Sequence, residues 1–457
     1  MMWSTESVSP ARSTSDGENG LPWVPGNLIN PLYVTHKELP DPQNTHTGVT
    51  MKKVCWLAVP SINLTMLVLC AAIEASAQTP STEPWTTETI NSPTLGKRTL
   101  YVATPDDYRS RTKRYPVLVM LDGNDISMLK LFIAQAAYLA DNVPGFPEFI
   151  VVGVANGPDR IYDMTTPATG SSVGMFKATG GAAAFTAFIL DDVLPLVRSK
   201  YRTLPSTVLA GHSAGGLFGV YVAATRPGEF QGIIACSPSL WYNDSSVVIT
   251  YSDMIAKSPK AQRLFASSGG LEHDIDVTTQ HFARRLDSLT GGSATFSYHR
   301  YPDDTHSLTP MEGWSDGLRF VFGPLSMDHL ELAHLDYAHA DSSALEAALR
   351  SSEHDYAIAA GALGLPPQLP EDILNNIGYR FLTRKKPKLG VAVFERNVQA
   401  YPESINVYDS LGDGFLAAGD TASAILNFKL SVARARQTGV AVPEETQSKL
   451  DALTQRR

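Results

Sequence analysis

Cysteine is scarce in this chain: its 457 residues include three, Cys55, Cys70 and Cys236. The first two lie in a segment that we expect to be removed, which leaves Cys236 alone in the mature protein. A single cysteine cannot form an internal disulfide, so the fold must be stabilised by its core, where the apolar run 232–236 places Cys236. The sequence also lacks Cys pairs and a His-x-x-x-His spacing, so it predicts no metal site and no cofactor.

An excess of positive charge is also lacking. The chain has 37 lysines and arginines against 46 aspartates and glutamates, which gives a formal net charge of −9. Basic stripes and polybasic patches are missing from the sequence as well. We therefore expect no nucleic acid partner and no electrostatic attachment to a membrane.

Long apolar runs are missing too, and the most apolar segment is short for a membrane span. It begins after Met51-Lys52-Lys53 and ends in the small-x-small pattern Ala75-Ser76-Ala77. This order predicts a signal peptide over residues 51–77, no stable membrane insertion after cleavage, and a periplasmic or secreted protein. Residues 1–50 are polar and aperiodic, and we expect them to be disordered or to precede the true initiator, Met51.

Short apolar runs alternate with helical patterns from about residue 95. Continuous apolar runs such as 115–121 and 149–154 are typical of strands covered on both faces. Strands are predicted at residues 99–103, 115–121, 149–154, 207–210, 233–236, 263–267 and 295–301. The βαβ order predicts an α/β domain over residues 85–325, with a mostly parallel central sheet flanked by helices. The Gly- and Pro-rich stretch 156–181 is predicted to be a loop that covers the substrate.

The carboxyl-terminal part has a different period. Six residue pairs are 34 positions apart: Ile377/Leu411, Gly378/Gly412, Leu382/Leu416, Gly390/Ala424, Phe394/Phe428 and Val398/Val432. This period resembles tetratricopeptide repeats, so we predict an all-α, TPR-like region over residues 327–457, with the two copies packed on the helices of 327–365. Such a region could bind a protein partner, mediate self-association or form a rigid cap beside an active site.

Gly211-His212-Ser213-Ala214-Gly215 is the most informative motif. A buried apolar run precedes it and a small-residue helical run follows it, which is the context of a nucleophile elbow. The motif predicts Ser213 as a nucleophile. The backbone N–H groups of Ala214 and of Asn124, beyond the strand that ends at Leu121, are the predicted oxyanion donors.

A serine nucleophile needs a base, and four histidines follow it before the helical region. His281 lies in an amphipathic helical pattern and His299 in a predicted strand, whereas His306 lies in a polar loop after the last strand. That loop places an imidazole at the carboxyl edge of the sheet, so His306 is the predicted base.

The acid that orients the base is expected just beyond the strand that ends at Ser267. Glu272 is the first choice because it lies just past the turn, five residues after Ser267, and Asp274 and Asp276 are alternatives on the same loop. Spacing does not separate these three neighbours.

Five segments carry a family resemblance: residues 115–123 (YPVLVMLDG), 211–216 (GHSAGG), 237–242 (SPSLWY), 269–272 (GGLE) and 304–306 (DTH). Together they resemble the putative esterase family of α/β-hydrolases, and most closely its siderophore (enterobactin) esterase-like branch, which is related to S-formylglutathione hydrolase. The likeness covers roughly residues 85–323 and implies an α/β-hydrolase fold.

The resemblance also implies roles for individual residues. Ser213 and His306 correspond to the nucleophile and base, while Glu272 corresponds less securely to the acid, since some members of the branch resemble Ser-His dyads. Arg160 and Trp241 are implied to contact the substrate.

These observations favour an exported serine hydrolase that cleaves carboxylic esters of small molecules, siderophore-type or other, through an acyl-enzyme on Ser213. An acyltransferase or thioesterase would use the same residues. A non-catalytic binding protein that acts through the TPR-like region is a further alternative.

Overall fold

The computed structural model describes residues 83–109, 111–260 and 262–455. The predicted signal peptide and residues 1–50 lie outside the described residues. The strands are β1 (Trp85–Ser92), β2 (Gly96–Ala103), β3 (Tyr115–Met120), β4 (Ile150–Val154), β5 (Thr203–His212), β6 (Gly232–Cys236), β7 (Arg263–Gly269) and β8 (Phe296–Tyr301).

The α-helices of the α/β domain are α1 (Ile126–Asn142), α2 (Arg160–Met164), α3 (Ala182–Ala187), α4 (Leu194–Lys200), α5 (Ala214–Thr225), α6 (Ser246–Ala256), α7 (Asp274–Thr290) and α8 (Thr309–Phe322). A π-helical segment, Phe188–Val193, joins α3 to α4. The helices that follow are α9 (Glu331–His334), α10 (Ser342–Ala362), α11 (Glu371–Thr383), α12 (Pro387–Ala400), α13 (Asn406–Ala417), α14 (Thr421–Thr438) and α15 (Glu444–Gln455).

The strands form one sheet in the order β1-β2-β4-β3-β5-β6-β7-β8. Strands β3 to β8 pair in parallel, while β1 and β2 are antiparallel additions at one edge. The predicted α/β fold with a mostly parallel sheet is therefore confirmed. Strand β1 was not predicted, because its sequence WTTETINS is mostly polar and contains no apolar run. It is the strand at one edge of the sheet.

Helices cover both faces of the sheet. Leu118 and Met120 of β3 pack into the same apolar cluster as α1 and α8, whereas Val117 and Val119 pack with α5 on the opposite face. Because successive side chains of a strand point to opposite faces, this alternation divides the domain into two layers around the sheet.

The carboxyl-terminal region is helical, as predicted, and its apolar cluster is continuous with the layer of α1 and α8. The α11–α12 hairpin has no room for a side chain at Gly378, because the ring of Phe394 packs there. Gly412 and Phe428 repeat the same contact in the α13–α14 hairpin. That these hairpins are tetratricopeptide repeats stays a prediction.

The helical region contacts the α/β domain at the amino-terminal ends of the parallel strands. Asp372 accepts a hydrogen bond from Gly145 N at 2.7 Å, and Met327 N donates to Pro144 O at 2.8 Å, just before β4 begins. Helix α8 runs back from the carboxyl edge, so the chain leaves the domain at the opposite edge. These contacts lie at the opposite end of the strands from Ser213, so they do not support the alternative of a rigid cap beside the active site.

Candidate active site

Ser213 lies on the tight turn between β5 and α5, with φ 62° and ψ −118°. Positive φ is strained for a serine and persists only where the surroundings enforce it. A side chain at Gly211 would overlap the backbone of Gly215, so the first glycine of the motif is required for this turn. The local geometry is that of a nucleophile elbow, and it projects Ser213 from the carboxyl edge of the sheet.

His306 Nδ1 lies 2.8 Å from Glu272 Oε2, and the Glu272 side chain is fully buried. The second oxygen of this carboxylate, Oε1, accepts hydrogen bonds of 2.6 Å each from Ser237 Oγ, Gly269 N and Thr309 Oγ1. Burial alone would raise the pKa of Glu272, but the hydrogen bonds from His306 and these three groups lower it instead. Glu272 is thus a carboxylate at neutral pH, and it fixes the orientation of the imidazole.

The other two acids considered from the sequence lie elsewhere. Asp276 accepts from Ser268 Oγ at 2.8 Å and from Arg300 Nε at 3.0 Å, and Asp274 is exposed at the start of α7. The structure therefore brings Glu272, rather than either aspartate, to His306.

His212 is a residue that the sequence reasoning missed. Its Nε2 lies 2.9 Å from the backbone oxygen of His306, and the two imidazole rings are 4.3 Å apart. Burial, followed by repulsion from a charged His306, lowers the pKa of His212 to about 4. A neutral His212 therefore donates its Nε2–H to that carbonyl. The signal in the sequence was a histidine at the variable position before the nucleophile.

Ser213 Oγ lies 3.4 Å from Ser239 Oγ, and Ser213 O accepts from Ser239 N at 3.1 Å. The His306 ring packs on the ring of His212, the residue that precedes Ser213, and so lies in the same part of the site. A direct bond between Ser213 Oγ and His306 is absent among the described hydrogen bonds. Catalytic bonds of this kind often tighten only when substrate binds.

The predicted oxyanion donors follow two neighbouring strands, β5 and β3. Ala214 is the first residue of α5, where backbone N–H groups lack partners within the helix. After β3, Gly123 N donates to Val154 O at 2.9 Å, and Asn124 follows it at the cavity wall. The helix start and the β3 turn thus place both predicted groups at the carboxyl edge.

A cavity of about 240 Å³ opens beside the elbow, and it is lined by Asp122, Asn124, Asp125, Met128, Asn156, Arg160 and His212. Arg160 Nε and Nη2 donate to the two oxygens of Asp122 at 2.5 and 2.8 Å. Arg160 Nη2 also donates to His212 O at 3.1 Å. Arg160 is thus at the cavity, as the resemblance implies, and its guanidinium is paired within the protein.

Trp241 is not among the residues that line this cavity. Its ring packs 6.4 Å from that of Phe176, within the stretch 156–181 that was predicted to cover the substrate. The stretch is fastened to the segment after β6, where Tyr242 Oη donates to Thr166 O at 2.7 Å and Thr169 N donates to Asn243 Oδ1 at 2.8 Å.

Among the residues that the structure describes, no group of three or more His, Cys, Asp or Glu side chains could hold a metal ion. Cys236 is buried, and burial raises the pKa of its thiol to about 12. A protonated, buried thiol fits the predicted role as a core residue.

Residues 92–316 match the family model described as Putative esterase. The matched residues make up most of the α/β domain of this chain. They include the elbow, the Glu272–His306 pair and the residues that line the cavity.

Two curated relatives are siderophore esterases. The chain is 30% identical over 141 residues to the siderophore triacetylfusarinine C esterase of Aspergillus fumigatus, which covers 29% of this chain and 47% of the relative. It is also 26% identical over 188 residues to the ferri-bacillibactin esterase BesA of Bacillus subtilis. That alignment covers 38% of this chain and 65% of the relative. The chain thus spans less than two thirds of the length of either relative.

Solved structures share the fold. An IroE-like serine hydrolase from Shewanella oneidensis aligns with a TM-score of 0.56 at 22% identity, covering 69% of this chain and 99% of that one. An uncharacterised protein from Capnocytophaga ochracea aligns with a TM-score of 0.52 at 16% identity, covering 81% of this chain and 99% of that one. The second alignment exceeds the length of the esterase domain, so it includes part of the helical region.

Proposed function

We propose that the chain is a serine hydrolase that cleaves carboxylic esters of small molecules through an acyl-enzyme on Ser213. The observation that carries this proposal is the pairing of buried Glu272 with His306 at 2.8 Å, directly beside the elbow. An oriented imidazole at the strained turn that holds a serine is the arrangement that acyl transfer requires.

The proposed mechanism begins with His306. Its Nδ1–H donates to Glu272, so Nε2 carries the lone pair that accepts the proton of Ser213. Ser213 Oγ attacks the ester carbonyl, and the N–H groups of Ala214 and Asn124 stabilise the oxyanion. Each such donor typically contributes on the order of 10²–10³ in rate. His306 then protonates the departing alcohol, and water attacks the acyl-enzyme by the same route.

His212 supports the charge that forms during these steps. His306 becomes an imidazolium when it takes the serine proton, and the ring 4.3 Å away must then stay neutral. The pKa of His212, lowered to about 4 by burial, satisfies that requirement across the neutral range.

The substrate class is supported by the relatives. Both carry names of siderophore esterases, so a siderophore-type ester is a candidate beside other small esters. We also propose export to the periplasm or medium, which the signal peptide pattern of residues 51–77 supports. Among the described helices, none is long and apolar enough to cross a membrane.

The test is hydrolysis of short p-nitrophenyl esters by the parent and by Ser213→Ala. The proposal predicts a loss of at least about 10³-fold in kcat for the variant, with the fold retained. A variant as active as the parent contradicts it. Product analysis with added alcohols and with thioesters distinguishes hydrolysis of esters from acyl transfer and thioester cleavage.

A further inference from the structure

We propose that the cavity beside Ser213 selects uncharged esters over anionic ones, because its cation, Arg160, is neutralised inside the protein by Asp122. This inference rests on the proposed function and specifies the substrate class of the same site.

Arg160 is paired with Asp122 within the protein through its Nε and Nη2 atoms. Two guanidinium nitrogens bind the two carboxylate oxygens at 2.5 and 2.8 Å, and the side chains are 31% and 14% exposed for Arg160 and Asp122. The same Nη2 also holds His212 O, and Asn156 Nδ2 donates to Asp122 Oδ1 at 2.7 Å. A bidentate pair with this support fixes the guanidinium in place.

The location of Asp122 explains why it needs a cation beside it. Asp122 follows β3 with φ 58°, and its Oδ2 lies against the start of α5, where a side chain at Gly215 would come within 3.2 Å of it. A carboxylate here lies close to the predicted oxyanion donor Ala214. Arg160 balances that charge, so the developing oxyanion does not face an uncompensated anion.

The other residues of the cavity wall offer no second cation. Asp125 is acidic, Asn124, Asn156 and Met128 are uncharged, and His212 is neutral. The lining thus carries two carboxylates against one guanidinium, a net charge of −1. An anionic acyl group would enter against this field, whereas an uncharged one would not.

Apolar side chains are exposed at the starts of α1 and α8. Ile126 follows the lining residue Asp125 and is 37% exposed, and Leu308 lies two residues after His306 and is 44% exposed. Exposed apolar side chains beside a binding cavity favour an uncharged, apolar substrate group.

Arg160 therefore acts as a positioning residue for the elbow in this account. This role differs from the direct substrate contact that the family resemblance implies. The distinction can be tested, because removing Asp122 and removing Arg160 should shift substrate preference in opposite directions.

The experiment compares p-nitrophenyl pentanoate with mono-p-nitrophenyl glutarate, which have acyl chains of equal length and differ by one negative charge. We expect kcat/KM at low salt to favour the uncharged ester by about tenfold or more, with a smaller ratio at high salt. Asp122→Asn frees Arg160 and should lower the ratio by about tenfold, whereas Arg160→Met should raise it. Asp141→Asn, at the exposed far end of α1, changes the net charge equally and should leave the ratio unchanged.

Binding constants of both esters to the Ser213→Ala protein measure the same preference without turnover. The preference can therefore be read even if the parent hydrolyses neither ester, which would contradict the proposed function alone. Equal or tighter binding of the anionic ester to the parent site overturns the inference. A shift in the same direction for Asp122→Asn and Arg160→Met also overturns it.

Discussion

His212 donates its Nε2–H to the backbone carbonyl of His306 at 2.9 Å, and the two rings lie 4.3 Å apart. The residue before Ser213 thus holds His306, the residue that we propose as the base. Elbow and base loop come from parts of the chain about 90 residues apart, and this bond, together with the Glu272 pair, joins them.

Replacing His212 should impair the base without removing it. In His212→Phe a ring remains under His306 but the donor is lost, so we expect kcat to fall about 10- to 100-fold with a smaller change in KM. His212→Gln, which can still donate, should recover part of the loss. Steady-state kinetics over pH 5–9 would check this, and equal activity of the His212→Phe variant and the parent would contradict it.

Acid should destabilise the fold through the same histidine. The pKa of His212 is about 4 in the folded protein against about 6.5 when unfolded, so the unfolded chain binds more protons between these values. The contribution of His212 is therefore complete above pH 6.5 and is lost as the pH falls toward 4. Its full size is on the order of 3 kcal/mol.

Urea unfolding measured at pH 7 and at pH 4.5 gives the comparison. The parent should lose more unfolding free energy between these pH values than His212→Gln does. Protonation of Glu272 also destabilises the folded protein, but because the pKa of Glu272 is lowered, this loss occurs only at lower pH. An identical pH dependence in parent and variant would be inconsistent with a buried, neutral His212.

Glu272→Gln tests the proposed acid. The amide keeps the size of the side chain but removes the charge that stabilises the His306 imidazolium, so kcat should fall about 10²- to 10⁴-fold. Asp276→Asn is the matched control, because that carboxylate pairs with Arg300 and not with His306. If Glu272→Gln keeps full kcat, a Ser213–His306 dyad suffices.

The helical hairpins should tolerate no side chain at their paired glycines. Gly378→Ala places a methyl group against the Phe394 ring and Gly412→Ala one against Phe428, so each should lose about 1–3 kcal/mol of stability. Gly361→Ala in α10 meets open space and should instead be neutral or slightly stabilising. Thermal unfolding distinguishes these outcomes, and equal Tm shifts at all three sites would contradict the packing.

The predicted signal peptide can be checked directly on exported protein. Cleavage after Ala77 gives a chain that begins at Gln78, and amino-terminal sequencing would identify it. Exported protein that retains residues before Met51 would refute both the signal peptide and the initiator assignment.

Local patterns were sufficient to predict the parts of the fold that depend on neighbouring residues. The apolar run before Ser213 and the glycines around it determine strand, turn and helix within a few residues, and the polar loop at His306 follows a strand in the same way. Strand β1 was missed because an edge strand with alternating threonines needs little apolar surface.

Contacts between distant segments were not predictable in this way. Three acids lie within five residues between the end of β7 and the first turn of α7. The choice of Glu272 depends on hydrogen bonds from Ser237 and Thr309, both far along the chain. The pairing of Arg160 with Asp122 likewise follows from the packing of α2 against the β3 turn. The spacing of residues along a single sequence does not predict either of these contacts.

The proposed function depends on Ser213 being a nucleophile that His306 activates. Reaction with a fluorophosphonate ester, followed by peptide mass mapping, identifies that nucleophile. We expect one adduct, on Ser213, that forms rapidly in the parent, slowly in His306→Ala and not at all in Ser213→Ala. An adduct on another residue, or unchanged labelling in the His306 variant, would contradict it.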